Sequence, residues 1–194
     1  MKIAIAGAHS TGKTTFLDAL SIILTERGFT VRRVGDLATE AQALGLPILR
    51  NHTFASTMWI IAQGIAREYS LATSPSVILL VDRPVADALG YLLAALEFRR
   101  ETLPTDQMEL FNHIVSFHMR TYDYVLETVI DPSLLIRDDG TRDLDWDYRM
   151  MVATNITRAL DKHRPDRCVL EHLRYDEIIV RIADEIASKQ ANGS

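Results

Sequence analysis

A single cysteine, Cys168, stands in 194 residues, so no internal disulfide can form and a reducing cytosol is the simplest home. Apolar runs are short as well: nothing reaches the roughly 18 uninterrupted residues that a helical membrane span needs. The opening Met1-Lys2-Ile3-Ala4-Ile5-Ala6 looks superficially like a signal sequence, but His9, Lys13 and Asp18 interrupt it early and it reads better as a strand. Positive charge is not in excess, since 21 Lys and Arg against 26 Asp and Glu leave −5. That balance argues against duplex DNA or an anionic membrane as the main partner. A local basic groove for a nucleic-acid end stays compatible with it, because net charge does not report distribution. Repeats, low-complexity tracts and long linkers are missing too. One cytoplasmic domain over residues 1–188 with a frayed tail at 189–194 is expected, of ordinary composition at 47% apolar and 24% charged.

What is present is an alternation of strands and helices. Lys2 to Ala6 reads as a buried strand, and Lys13 to Arg27 has helical spacing, with Gly28 where a helix would stop. Phe29 to Val34 is the second strand. Thr53 to Ala72 is a long helical pattern, with Thr53 as cap. The clearest strand is Ser76 to Asp82, a continuous apolar run that ends on a carboxylate. Helices over Val85 to Arg99 and Thr105 to Tyr122, a strand from Tyr124 to Val129, a helix from Tyr148 to His163, a strand from Arg167 to Leu173 and a final helix to about Ser188 complete the pattern. The fold class is therefore α/β, with a five-stranded parallel sheet covered on both faces.

Between the first strand and the first helix lies Gly7-Ala8-His9-Ser10-Thr11-Gly12-Lys13-Thr14, followed by Thr15. In Gly-x-x-x-x-Gly-Lys-[Ser/Thr] the glycines let successive N–H groups turn towards anionic oxygens. The helix that follows aims its positive dipole end at the same place. Lys13 is expected to bridge β- and γ-phosphates, and Thr14 to give its hydroxyl to Mg²⁺. Chance yields such a string about once in a hundred chains of this length. A nucleoside triphosphate, ATP with Mg²⁺, is the expected ligand.

Asp82 ends the third strand at the carboxyl edge of the sheet, where open α/β sheets bind ligands, and Arg83 puts a cation beside it. Asp82 is expected to hold Mg²⁺ or to orient an acceptor hydroxyl; the alternative is a cap for the helix after Pro84. Asp82-Arg83-Pro84-Val85-Ala86-Asp87-Ala88-Leu89-Gly90-Tyr91 resembles the strand-end segment of small P-loop kinases related to the bacterial nicotinamide-riboside kinase domain. Deoxyribonucleoside and thymidylate kinases, more distant relatives, carry a similar Asp/Glu-Arg pair. The resemblance implies strand order 2-3-1-4-5 and a lid over about 131–147. It makes Gln63, in the helix that also carries Glu68, a substrate-recognition residue, unless both simply form the polar face of that helix.

By the same resemblance Asp36, in Gly35-Asp36-Leu37-Ala38-Thr39-Glu40, orients the hydroxyl that is phosphorylated, where many relatives have Glu; its alternative role is a helix cap. Ile136-Arg137-Asp138-Asp139-Gly140-Thr141-Arg142-Asp143 resembles the lid's Asp-Gly-x-Arg segment. Arg142 is then expected over the transferring phosphates, and Arg149 as a second clamp or substrate contact. A solvated loop of weak Arg–Asp pairs is the plainer alternative.

For His9 only the backbone N–H is expected to matter, with an exposed side chain. His113 and His118, five apart, do not form a metal motif. Cys168 is expected to be buried and inert, Trp59 to be core or cleft wall, and the Glu171–Tyr175 group to lie near the adenine. Three functions fit: a kinase for a small hydroxyl- or phosphate-bearing acceptor, such as a nucleoside or nucleotide; a regulatory ATPase or switch; and a polynucleotide 5'-hydroxyl kinase. An Asn-Lys-x-Asp string for guanine is missing, and Arg83-Pro84 stands where a switch glycine belongs, so the switch is disfavoured. Whether the chain forms a homodimer, and which acceptor it takes, the sequence leaves open.

Overall fold

The structure is a computed structural model and describes residues 1–35, 37–74, 76–131, 145–170 and 175–192. Asp36, Arg142 with most of the expected lid, and residues 171–174 lie outside them.

Five parallel strands form one sheet: β1 (Lys2–Ala6), β2 (Thr30–Val34), β3 (Val77–Asp82), β4 (Tyr124–Thr128) and β5 (Cys168–Leu170). Their order is β2-β3-β1-β4-β5, as the resemblance implied. Helices α1 (Lys13–Glu26), α2 (Leu37–Ala43), α3 (Phe54–Leu71), α4 (Val85–Arg99), α5 (Thr105–Met119), α6 (Trp146–His163) and α7 (Tyr175–Asn192) follow in chain order.

The period-2 alternation of buried strands sorts the core into two layers. Ile3 and Ile5 of β1, Ile78 and Leu80 of β3 and Leu126 of β4 meet Phe16, Leu17, Leu20 and Leu24 of α1 and Ile179, Ile182 and Ile186 of α7. The intervening Ala4, Ala6, Leu79, Val81 and Val125 face the other way, onto α4, α5 and α6. Small residues bring the α4–α6 pair together. A Cβ placed on Gly90 would lie 2.5 Å from Ile156 Cγ1 and 2.8 Å from Ile156 Cα, so only glycine fits that crossing.

Helix ends follow their local chemistry. α3 starts with a capping box between Thr53 and Ser56, and Asp145 caps α6 by accepting from the N–H groups of Asp147 and Tyr148. α4 begins after Pro84 and stops at Arg100 in the left-handed conformation. The last helix runs to Asn192, beyond the expected end near Ser188. Its sequence holds no glycine or proline before Gly193, so nothing in the tail stops it earlier. Cys168 is half-buried rather than buried. Among the described residues no helix is long and apolar enough to cross a membrane.

Register decides what reaches the carboxyl edge. Ile5 pairs with Asp82, and Ala6 with Glu127. The ends of β1, β3 and β4 therefore deliver Gly7, Asp82-Arg83 and Thr128 to one place, beside the central strand where the order reverses.

Candidate phosphate-binding site

Gly7 leaves β1 at φ 139°, and a Cβ there would sit 2.3 Å from Thr128 Oγ1, so no other residue fits. Ser10 (φ 58°) and Gly12 (φ 81°) are also left-handed, and these turns wind the chain into a loop. Gly12 is the N-cap of α1 but brings no side-chain oxygen to its N–H groups, unlike Thr53 and Asp145. An uncapped N-terminus with its positive dipole end is suited to an anion. Thr14 and Thr15 are exposed on the first turn of α1, whereas Lys13 is buried. Its Nζ donates to Gly7 O at 2.8 Å, to Ala8 O, and to Thr11 Oγ1 at 3.3 Å.

Four other elements hold the loop from outside. The Asp87 carboxylate on α4 accepts from Gly7 N at 3.1 Å. One turn on, Tyr91 OH accepts from His9 N at 3.1 Å and from Arg83 Nη1 at 2.9 Å. The same phenol oxygen lies 3.3 Å from His9 Nδ1. The His9 side chain is buried, not exposed as expected. The Tyr91 ring stacks away from solvent against His52. On β4, Thr128 Oγ1 donates to Ala6 O at 3.0 Å and meets Thr11 Oγ1 at 2.6 Å. Tyr175 OH, at the start of α7, donates to Thr11 O at 3.0 Å. Arg149 of α6 lies fully buried and donates from Nε to His9 O at 3.2 Å and from Nη2 to Ser10 O at 2.9 Å. Its Nη1 is buried without a hydrogen-bond partner among the described residues.

At the sheet edge, Asp82 Oδ2 accepts from Arg33 Nη2 at 2.8 Å, and Arg33 Nη1 reaches Asp18 of α1 at 2.6 Å. Gly35 passes so near that a Cβ there would be 3.2 Å from the Asp82 Cβ. Arg83 takes a left-handed φ of 70°, which turns its guanidinium back over the Tyr91 ring. Asp87 is strongly altered by its surroundings. Burial pushes its pKa up to about 7, while Lys13, Arg83 and the Gly7 N–H pull it down and Asp82 pushes it up further. His52, buried beside Arg99 and Arg83, is driven down to about 4 and is neutral.

The structure thus gathers Gly7 to Thr15, Asp82, Arg83 and Arg149 at one edge. Gln63 is half-buried midway along α3. Glu68, which shares that helix, points to the opposite end of the sheet: it accepts from Lys2 Nζ, His118 Nε2 and Tyr122 OH. Asp36 and Arg142 lie outside the described residues. Asp87, Tyr91, Thr128 and Tyr175 were not singled out from sequence. One signal was there: Asp87 is a lone acid in the otherwise apolar run Val85 to Leu96, with Tyr91 four residues on.

Among solved structures, NadR protein in complex with NR matches with a TM-score of 0.66 at 19% identity, covering 94% of this chain. The chain spans only 50% of the NadR chain's length. Deoxyadenosine kinase from M. mycoides with bound dATP matches at a TM-score of 0.64 and 13% identity, over 95% of this chain and 100% of that one. Thymidylate kinase from Ehrlichia chaffeensis matches at 0.63 and 18%, over 94% and 98%. No curated protein matches in sequence. A family profile described as AAA domain matches residues 2–177. The chain belongs to this AAA domain family, and its architecture is the P-loop fold of nucleoside and nucleotide kinases.

Proposed function

We propose that the protein is an ATP-dependent phosphotransferase that moves the γ-phosphate to a hydroxyl or phosphate of a small acceptor, a nucleoside or nucleotide. The observation that carries this reading is the convergence of a phosphate loop, whose helix has no side-chain cap, with Asp82 and Arg83 at one sheet edge. A loop alone supports binding of a triphosphate; a carboxylate and a guanidinium beside it add the means to place a second reactant.

In this reading Gly7 to Thr15 take the donor phosphates, and Lys13 exchanges the loop carbonyls for phosphate oxygens. Thr14, exposed on the first turn, fits a hard cation that prefers oxygen ligands and shares its shell with phosphate. Asp82 is the second oxygen ligand, and the Arg33 pair fixes where its carboxylate points. Thr14 and Asp82 would hold a Mg²⁺ ion, which would supply charge neutralisation on the transferring group. Asp36 orients the acceptor hydroxyl, Gln63 and Arg83 contact the acceptor, and Arg142 closes over the phosphates. Arg149, expected as a second clamp or substrate contact, has a different role in this reading: its buried guanidinium holds the loop's shape through the carbonyls of His9 and Ser10. The domain is taken as residues 1–188, acting in the cytoplasm.

The test is ADP release measured across nucleosides, ribosylated bases, nucleotides and a 5'-hydroxyl oligonucleotide. Acceptor-dependent ADP with one small-molecule class is the expected result. A response to the oligonucleotide alone would shift the reading to a polynucleotide kinase, and tight ATP binding with no acceptor response to a regulatory ATPase. Asp36→Asn is expected to lower turnover with ATP affinity nearly unchanged; a large loss of ATP binding would show that its role is misassigned.

A further inference from the structure

One stripe of α5 faces solvent, and the order of residues along it is self-complementary. Asp106, Leu110, His113, Phe117 and Arg120 recur at steps of 4, 3, 4 and 3, the spacing that keeps side chains on one seam of a helix. Arg120 belongs to the seam because, as the C-cap, it keeps helical angles at φ −72° and ψ −15°. All of these residues are exposed. Phe117, at 70%, is the most exposed large apolar side chain among the described residues, and Leu110 stands at 45%.

The fold does not ask for this pattern. α5 is held by its other side, where Phe111, Val115, His118 and Met119 are buried. Its flank bonds to α6, Asn112 with Lys162 at 2.9 Å and Ser116 with His163 at 2.7 Å. Asp106 and Arg120 form no ion pair among the described residues. An acid at the start of the helix and a base at its end do suit the helix dipole. That same polarity is what an antiparallel partner needs.

Read from its other end, the seam answers itself. With His113 at a two-fold axis, Asp106 of one copy meets Arg120 of the other, and Leu110 meets Phe117, at both ends. A parallel pairing would instead set acid on acid and base on base, so the charges select the antiparallel one. His113 is held for that central place, its Nδ1–H donating to the Glu109 carbonyl one turn back at 2.8 Å.

We propose that this face of α5 is the contact between two copies of the chain, in a two-fold dimer whose α5 helices pack antiparallel around His113. None of its side chains belongs to the phosphate-binding site, so the proposal stands independently of the phosphotransferase reading. A standard interface takes about 800 Å² from each partner, and a single helical seam supplies roughly half of that. The dimer is therefore weak, with dissociation expected at about 10–100 μM.

Sedimentation equilibrium of the purified chain from about 5 to about 500 μM is expected to show a monomer–dimer equilibrium. Phe117→Ser, at an exposed position, is expected to keep the far-UV circular dichroism and to weaken the dimer at least about tenfold. Asp106→Arg or Arg120→Asp alone sets like charges together at both ends of the seam, and each is expected to weaken it about fivefold. The double variant Asp106→Arg with Arg120→Asp makes opposite pairs again and is expected to return to within about twofold of wild type. A chain still monomeric at about 500 μM would overturn the proposal. So would a dimer that Phe117→Ser leaves intact, or a charge swap that fails to restore association in a folded double variant, because both put the contact elsewhere.

Discussion

Glu68 and Asp87 are both buried carboxylates in the same helical layer, at opposite ends of β1, yet they are built differently. Glu68, by the first residue of the strand, accepts from three side chains: Lys2 at 3.2 Å, His118 at 2.8 Å and Tyr122 at 2.7 Å. Burial and the neighbouring Glu68 hold the Tyr122 phenol well above its usual range, so it remains a donor. Asp87, just past the strand's last residue, has one amide and two cations that are needed for other work. The first end is satisfied from within the protein and ties α3, β1 and α5 together. The second is satisfied in part, which is the condition of a group whose surroundings change when a ligand arrives.

The comparison breaks most visibly at Lys13. Lys13→Ala is expected to cut phosphoryl transfer by about a thousandfold or more, with the far-UV circular dichroism of the folded chain unchanged; retained full activity would refute the site. At the other end, Glu68→Ala strands Lys2, His118 and Tyr122 around a lost acceptor. A loss of about 3 kcal/mol in urea unfolding is expected, with ATP affinity within about twofold of wild type. A nucleotide-binding defect in a stable Glu68 variant would erase the distinction between the two ends.

Acidity separates them further. The Asp87 pKa rises on folding from 3.8 to about 7, so between those values the folded chain binds a proton that the unfolded chain does not. Stability from this group is therefore highest below pH 3.8 and falls as the pH climbs to 7. Asp87→Asn is expected to remove that slope and to be more stable than wild type at pH 8, by about 2 kcal/mol, with the gap closing towards pH 4. Denaturant melts of both proteins across that range check it; parallel curves would show that Asp87 is ionised throughout. The smallest effect is a control far from both ends. Thr53→Ala, which removes half of the α3 capping box, is expected to cost about 1 kcal/mol and to leave ATP affinity alone.

Much of this was legible in the sequence, for local reasons. Val77 to Val81 announced a central strand because a parallel strand buried on both faces needs a continuous apolar run. The start of α4 follows from Pro84, since proline suits the entry of a helix and not its interior. The phosphate loop is legible because its chemistry needs particular residues at particular spacing. What escaped was set by contacts between distant parts of the chain. His9 in a glycine-rich loop reads as exposed; a tyrosine 82 residues away buries it. Thr11 meets Thr128 across 117 residues, and Arg149 reaches Ser10 across 139. Gln63 and Glu68 share a helix, and the packing of Lys2, His118 and Tyr122 around Glu68, drawn from other elements, is what assigns it to the far end of the sheet.

The two outer strands of the sheet carry one more consequence. A sheet that ends in open strands offers unpaired backbone groups to any other extended chain, including a second molecule during folding. β2 occupies one edge with Thr-Val-Arg-Arg-Val, and its two central arginines are exposed, so an incoming strand would have to bury or displace like charges. β5 occupies the other with three residues, too short a rail for register to be found. The Arg33 that aims Asp82 therefore also guards an edge against aggregation, and replacing it with a neutral β-branched residue would trade solubility for a smoother strand.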